Sequence, residues 1–342
     1  MTLAFENLLG QNELKDKLNR VLETGKLGHA YMFTGERGIG KKTFAREFVA
    51  AAMCTNRTGS KRCCRCKSCT LLESDNNSDL LVISADDGKS VISVDRIRDD
   101  IREAVSKAPN FSAKRVVIVE QAEKMNEAAQ NALLKTFEEP PEYAMIILLC
   151  DSLLQMLETI KSRAVIVELK RNTDGEILEK YRKKREESTH LAQDVTPELV
   201  CSYADGIMGR IDEIMNDGDA MESRKRLSEL LPGLFEGNIE VKNRVMELID
   251  VKSKKYDFIF FSMISFIRDA MVLARFGMRT KIINADYRDA LHALGGSVGY
   301  YRLKDALGVI DACYKNLAQN ANGELAVDNM LIKLGMRTAS GY

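Results

Sequence analysis

Short apolar runs alternate with helical periodicity through the first half of the chain. Ala30–Thr34 is an apolar run that ends at Gly35 and predicts a strand. Lys42–Met53 then places Phe44, Phe48 and Ala51 or Ala52 on one face at helical spacing. Leu80–Ser84 and Val116–Val119 read as further buried strands. Asn126–Glu139 reads as a helix with Asn126 as N-cap, stopped by Pro140-Pro141. Met145–Leu149 and Val165–Leu169 are two more apolar strands. Strand and helix in alternation, with strands apolar on both faces, predict an α/β fold: a mostly parallel sheet with helices on both faces.

The pattern changes after about Leu169. Lys180, Arg182, Lys183, Lys184 and Arg185 crowd one segment, which reads as a solvated helix face. From about Ala220 the pattern is helical throughout, and Tyr256–Phe276 is apolar enough to predict a buried helix. These changes divide the chain into an α/β domain over 1–169, a small helical domain over 170–217 and an all-α domain over 218–342. A length of 342 residues accommodates three such domains.

Charge narrows the function classes. Lys plus Arg number 50 and Asp plus Glu number 50, so the net charge is zero. That balance disfavours a protein that coats DNA by bulk electrostatics, and with it a zinc-dependent DNA-binding module. No apolar run is long enough to span a bilayer, and Met1–Gly10 lacks the basic region and apolar stretch of a signal peptide. A cytoplasmic location is expected. Eight cysteines in such a reducing compartment favour a metal site over disulfides.

Gly35-Glu36-Arg37-Gly38-Ile39-Gly40-Lys41-Lys42-Thr43 follows a strand and opens a helix, the context a phosphate-binding loop requires. Glycines let backbone N–H groups face a phosphate, the helix N-terminus adds a positive dipole end, and Lys41 would reach the terminal phosphates. A glycine-rich turn with no ligand is the plainer reading. The motif needs Ser or Thr directly after its Lys to ligate Mg²⁺, and that position holds Lys42. Thr43 comes one residue late, and one helical step turns a side chain by about 100°. ATP binding and Mg²⁺ placement both stay open at this site.

A second strand, Val116–Val119, ends in Glu120-Gln121. ATPases of this type place an Asp there to hold Mg²⁺ and a Glu to polarise water. Glu120 keeps the charge with one more methylene, while Gln121 is neutral and cannot act as a base. General-base help is typically worth about 10²–10⁴ in rate. Slow or absent hydrolysis follows, unless the two residues merely end a strand.

Cys54, Cys63, Cys66 and Cys69 are spaced x8, x2 and x2. Four thiolates within so short a segment suit tetrahedral Zn²⁺ with no open position, hence a structural site. Lys61, Arg62, Arg65 and Lys67 would favour the thiolates. Redox sensing is the alternative use of such a cluster. Cys64, adjacent to Cys63, fits the ligand set poorly.

These features together resemble the AAA+ family of bacterial DNA polymerase III clamp-loader subunits. Phe5-Glu-Asn-Leu-Leu-Gly10-Gln11 is similar to its opening box and His29-Ala30-Tyr31-Met32-Phe33 to its first strand. The cysteine spacing resembles its zinc module. Asn131-Ala-Leu-Leu-Lys-Thr-Phe-Glu138-Glu139-Pro140-Pro141 is close to its most distinctive motif. Ser162-Arg163 matches the start of its Ser-Arg-Cys motif, with Ala164 departing from it. Asn320-Ala-Asn322, Leu325 and Met330-Leu331 resemble its last core helix.

The resemblance implies an AAA+ P-loop domain, a helical lid domain and a helical collar that holds subunits in a ring. Hydrolysing members carry Asp-Glu where this chain has Glu120-Gln121. They also carry a nucleotide-sensing Arg where Gly209 follows Ala204-Asp205-Gly206-Ile207-Met208, with Arg210 one step late. Those losses, with Lys42, point to the delta-prime branch: a stator with no independent ATPase inside the polymerase holoenzyme. Its implied partners are the gamma or tau motor subunits, the delta subunit, and through them the sliding clamp and primed DNA. Arg163 would project in trans into the motor subunit's ATP site, a role worth about 10³–10⁵ in rate. Read without the resemblance, Arg163 is a surface arginine with a carboxylate partner. The competing identity is an active motor subunit of gamma or tau type.

Overall fold

In the computed structural model, residues 2–84, 92, 94–187, 195–216, 219–251, 256–318 and 322–336 are described. The chain divides into two compact units. One comprises Met1–Glu176 with Gly206–Gly209, the other Ile177–Asp205 with Arg210–Tyr342.

The first unit is built on a five-stranded, all-parallel sheet. Its strands are β2 (Ala30–Thr34), β4 (Leu80–Ile83), β5 (Arg115–Val119), β6 (Ala144–Cys150) and β7 (Val165–Glu168), in the order β4-β5-β6-β2-β7. A separate two-stranded ladder pairs β1 (Thr2–Leu3) with β3 (Lys61–Arg62). Among the described residues its helices are α1 (Asn12–Thr24), α2 (Lys41–Met53), α3 (Lys67–Glu73), α4 (Val94–Ser106), α5 (Glu127–Glu138) and α6 (Glu158–Lys161). Every strand foreseen from the apolar runs is present, with ends shifted by a residue or so. Alternation along the strands sends side chains to two cores. Tyr31, Phe33, Ile118 and Ile147 join Phe44 and Phe48 of α2 on one face. Met32, Val117, Val119 and Ile146 join Ile97 and Ile101 of α4 and Leu133 and Phe137 of α5 on the other. Sheet burial on both faces explains why the strands carry no polar alternation. Asn126 caps α5 as expected, its side chain accepting from the Ala129 N–H at 2.9 Å.

A parallel sheet gathers the C-terminal ends of its strands along one edge. β2, β5 and β6 therefore deliver the loops that follow them, at Gly35, Glu120 and Asp151, to a common side of the unit.

The second unit is helical: α7 (Asp174–Glu187, entered from the first unit), α8 (Pro197–Ala204), α9 (Met208–Asn216), α10 (Ala220–Phe235), α11 (Ile239–Leu248), α12 (Asp257–Phe276), α13 (Arg288–Val298), α14 (Tyr300–Ala318) and α15 (Gly323–Gly335). The helix expected over Tyr256–Phe276 is α12, and its Phe260, Met263, Phe266, Ile267 and Leu273 are buried. A polar knot sits in this core. Arg224 is fully buried, donating to Asp286 at 2.6 and 3.0 Å and to Asn284 at 2.9 Å, with the rings of Phe266 and Tyr287 against its guanidinium. The charged run on α7 is only partly a solvated face. Arg182, Lys183 and Arg185 are exposed, but Lys180 and Lys184 both pair with Asp212 of α9 and are largely covered. Of the segment resembling a last core helix, Asn320 and Ala321 lie outside the described residues, while Asn322 caps α15 through the Leu325 N–H. Among the described residues no helix is long and apolar enough to cross a membrane.

Candidate functional site

The glycine loop between β2 and α2 has the backbone a phosphate cradle needs. Gly35, Gly38 and Gly40 take φ of 146°, 81° and 111°, conformations that side chains with a Cβ rarely adopt. A Cβ at Gly35 would also meet the Leu169 carbonyl oxygen at 2.7 Å. The loop is buttressed from behind by two segments of the same unit. Asn172 donates from its backbone and side-chain nitrogens to the Gly206 carbonyl, both at 2.9 Å. The Gly209 N–H then donates to the Gly38 carbonyl at 2.9 Å. Arg171 pairs with Glu36 of the loop through two contacts, at 2.5 and 2.7 Å.

The approach at Gly209 is close. A Cβ there would stand 2.8 Å from the Gly38 oxygen and 3.0 Å from its Cα. No side chain fits at this position without moving the loop. Arg210, the next residue, donates instead to the Tyr203 carbonyl at 3.2 Å.

Lys41 is nine-tenths buried and faces inward onto the loop. Its Nζ donates to the Gly35 carbonyl at 2.6 Å, the Glu36 carbonyl at 3.0 Å and Asp151 Oδ1 at 2.6 Å. Lys42 lies over the end of β5, with Nζ 2.7 Å from Glu120 Oε1. That oxygen has no well-angled hydrogen bond, so the contact is an ion pair. Thr43 is an exposed helical position. The donor set for a divalent cation is therefore not assembled: an ammonium sits against the one carboxylate that would serve, and no hydroxyl stands beside Lys41. Gln121 follows with φ 52°, exposed at the start of a short 3₁₀ turn.

Asp151 was not visible from the sequence pattern. It follows β6, and only the parallel register of β6 beside β2 brings its carboxylate to the loop lysine. An acid one residue past a buried strand was the available signal.

Arg163 lies just after α6, donating to Glu138 Oε1 at 2.9 Å and to the Thr159 carbonyl at 3.1 Å. The carboxylate partner expected of a surface arginine is thus present. It is the last residue of α5, so the Ser162-Arg163 pair and the Glu138-Glu139-Pro140-Pro141 turn meet in space. Both side chains keep substantial exposure, 37% and 51%.

The cysteine cluster closes at the end of α2. Cys54, Cys63, Cys66 and Cys69 are buried, and their sulfur atoms all lie within 4.8 Å of one another. Cys64 takes φ 55°, which turns the chain so that Cys63 and Cys66 face inward, and its own thiol contacts the Arg62 carbonyl instead. The Cys63 N–H points at Cys54 Sγ (3.4 Å) and the Cys66 N–H at Cys63 Sγ (3.3 Å). Burial pushes the Cys54 thiol up, and Cys69 further up with the neighbouring sulfurs adding to it. The Arg65 N–H lowers Cys63. Burial works to raise Cys66, but bonds from Thr55 and the Cys69 N–H outweigh it and hold the thiol at about 6. Four sulfurs so close cannot all be thiolates without a cation among them, so the donor set fits a metal ion. A buried network anchors the module to the sheet: Ser68 and Ser112 hydroxyls lie 2.8 Å apart, and Asn77 donates to Ser112 at 3.2 Å and to the Ser68 carbonyl at 3.1 Å.

Known proteins similar to this chain are DNA polymerase III subunits. The family described as DNA polymerase III, delta subunit, matches residues 10–173. The tau subunit of DNA polymerase III from Bacillus subtilis is 34% identical over 204 residues, 60% of this chain and 36% of that protein. The delta' subunit from Pseudomonas aeruginosa is 36% identical over 137 residues, 40% of this chain and 42% of that protein. Over these stretches the chain is similar to bacterial DNA polymerase III subunits of the delta, delta' and tau type. The stretch matched by the family covers most of the α/β unit, and a helical region follows it. The matched stretches span less than half of either relative. A solved structure of a gamma subunit-related protein from Thermotoga maritima aligns with 94% of this chain and 98% of its own, at 18% identity and a TM-score of 0.48.

Proposed function

We propose that the chain is a clamp-loader subunit of the delta-prime type: a stator that hydrolyses no ATP itself and lends Arg163 to the ATP site of a neighbouring motor subunit. The observation that carries the reading is the Lys42–Glu120 ion pair at 2.7 Å. A phosphate-loop ATPase needs a hydroxyl and a carboxylate converging on Mg²⁺, and here the first is an ammonium that occupies the second. Gln121 offers no base, Asp151 sets a negative charge beside Lys41 where phosphate oxygens would stand, and Gly209 leaves no room for a sensing arginine. Relatives include both tau and delta' subunits, so similarity alone does not separate the motor reading from the stator reading. The defects at the loop favour the stator.

Arg163 has the chemistry for a trans role. Its side chain is 37% exposed, and its pairing with Glu138 is a solvent-facing contact worth about 0–1 kcal/mol. Exchanging that carboxylate for a neighbour's phosphate therefore costs little. The partners of this reading are gamma or tau motor subunits and the delta subunit, with the sliding clamp and primed DNA reached through the assembled ring. In it residues 170–217 act as the lid and 218–342 as the collar. The cysteine cluster holds structural Zn²⁺, chosen because four closed-shell thiolate ligands leave no open position.

The test is a loader reconstituted with Arg163→Ala. DNA- and clamp-stimulated ATP turnover should fall by about 10³ or more at the site this subunit faces. Circular dichroism should be unchanged, because the fold loses only an exposed ion pair and one exposed hydrogen bond to the Thr159 carbonyl. Undiminished turnover and loading would remove the trans role.

A further inference from the structure

The geometry points to a metal-independent polyphosphate site: Lys42 stands in for the divalent cation, so that the glycine loop takes a nucleoside diphosphate or similar anion without Mg²⁺. In a metal-assisted site a cation lies between the strand-end carboxylate and the phosphate oxygens and neutralises both. Here a cation already lies against that carboxylate, tethered to α2 by its own side chain. An ammonium carries three N–H donors, and its contact with Glu120 uses at most one of them. Lys42 is 59% exposed, and an ion pair so exposed contributes little to stability, so the pair is better read as placing charge than as holding the fold.

The rest of the loop is shaped for an anion. Gly35, Gly38 and Gly40 hold left-handed or Gly-only backbone, and the Gly38 peptide is fixed from behind by the Gly209 N–H. Lys41, nine-tenths buried, satisfies itself on two loop carbonyls and Asp151. Those are the contacts a phosphate would replace, with Asp151 the group displaced. Two lysines then face the phosphates, which suits a ligand bearing several negative charges. Retention without turnover follows, since no water-activating base and no metal take part. Bound nucleotide would act as a fixed piece of the loop.

Calorimetric titration of the full-length chain with ADP tests this, once in millimolar magnesium and once in EDTA. The two dissociation constants should agree within about twofold, whereas Lys42→Ser should bind about tenfold more weakly in EDTA and recover with magnesium. Asp151→Asn, which removes the competitor for Lys41, should tighten ADP binding in both buffers. Tightening of the unsubstituted chain by tenfold or more on adding magnesium, or no heat of binding in either buffer, would overturn the inference. Either failure leaves the stator reading standing, because that reading rests on turnover and on Arg163.

Discussion

Asp79 has no exposed side-chain surface and takes the N–H groups of Asn110, Phe111 and Ser112 at 2.7, 2.8 and 3.0 Å, with Arg115 at 3.1 Å. Burial favours the neutral acid, but these donors favour the carboxylate and prevail, so its pKa lies below the ordinary value. A depressed folded pKa makes the carboxylate a source of stability above the unfolded value of about 3.9, lost as pH falls through the folded value. Asp79→Asn should cost about 3–5 kcal/mol at neutral pH, because Arg115 and three N–H groups keep only a neutral partner. As pH falls below about 4 toward the lower folded value, the gap between variant and parent in urea denaturation should narrow progressively. A constant gap across the acid range would show that the carboxylate charge is not what matters. Asp79 and Asp151 were both illegible in the sequence, since an acid beside a buried strand looks the same whether it anchors a loop or faces solvent. Lys41, Lys42, Glu120 and the glycines were legible because the loop and the strand ends carry their meaning in contiguous residues.

Two elements set the environment of the loop. The segment Gly206–Gly209 returns to the α/β unit and presses Gly209 against Gly38. Gly209→Ala forces a Cβ into the Gly38 backbone, so amide hydrogen exchange over residues 35–43 should accelerate while the rest of the sheet keeps its protection. Unchanged exchange there would mean the loop does not depend on this support. The sequence showed an arginine displaced by one position, but not that the glycine left behind is sterically required. That contact joins residues far apart in the chain, and no local pattern reports it. The cysteine module was legible because its ligands lie close in sequence and the turn at Cys64 is short. Elemental analysis should find one Zn²⁺ per chain, and the joint change Cys63→Ser and Cys66→Ser should release it and lower the melting temperature. Metal retained by that variant would mean the ligands lie elsewhere.

For the molecule as a whole, the fold class could be read from the alternation of apolar runs and amphipathic stretches. The helical half could be read only as helical, since its packing comes from contacts such as Arg224 with Asp286 that span dozens of residues. Catalytic competence is decided at the point where β2, β5 and β6 end together. There the chain places a glycine cradle and two lysines, with Lys42 against Glu120, Gln121 next in sequence and Gly209 against the loop. On the proposed stator reading, its contribution to chemistry is the exposed guanidinium of Arg163, offered to a neighbouring subunit. Steady-state ATP turnover by the isolated full-length chain in saturating Mg-ATP examines this division of labour most directly. The expected rate is indistinguishable from the uncatalysed background. A turnover of about 1 s⁻¹ or more, the ordinary range of working enzymes, would contradict it.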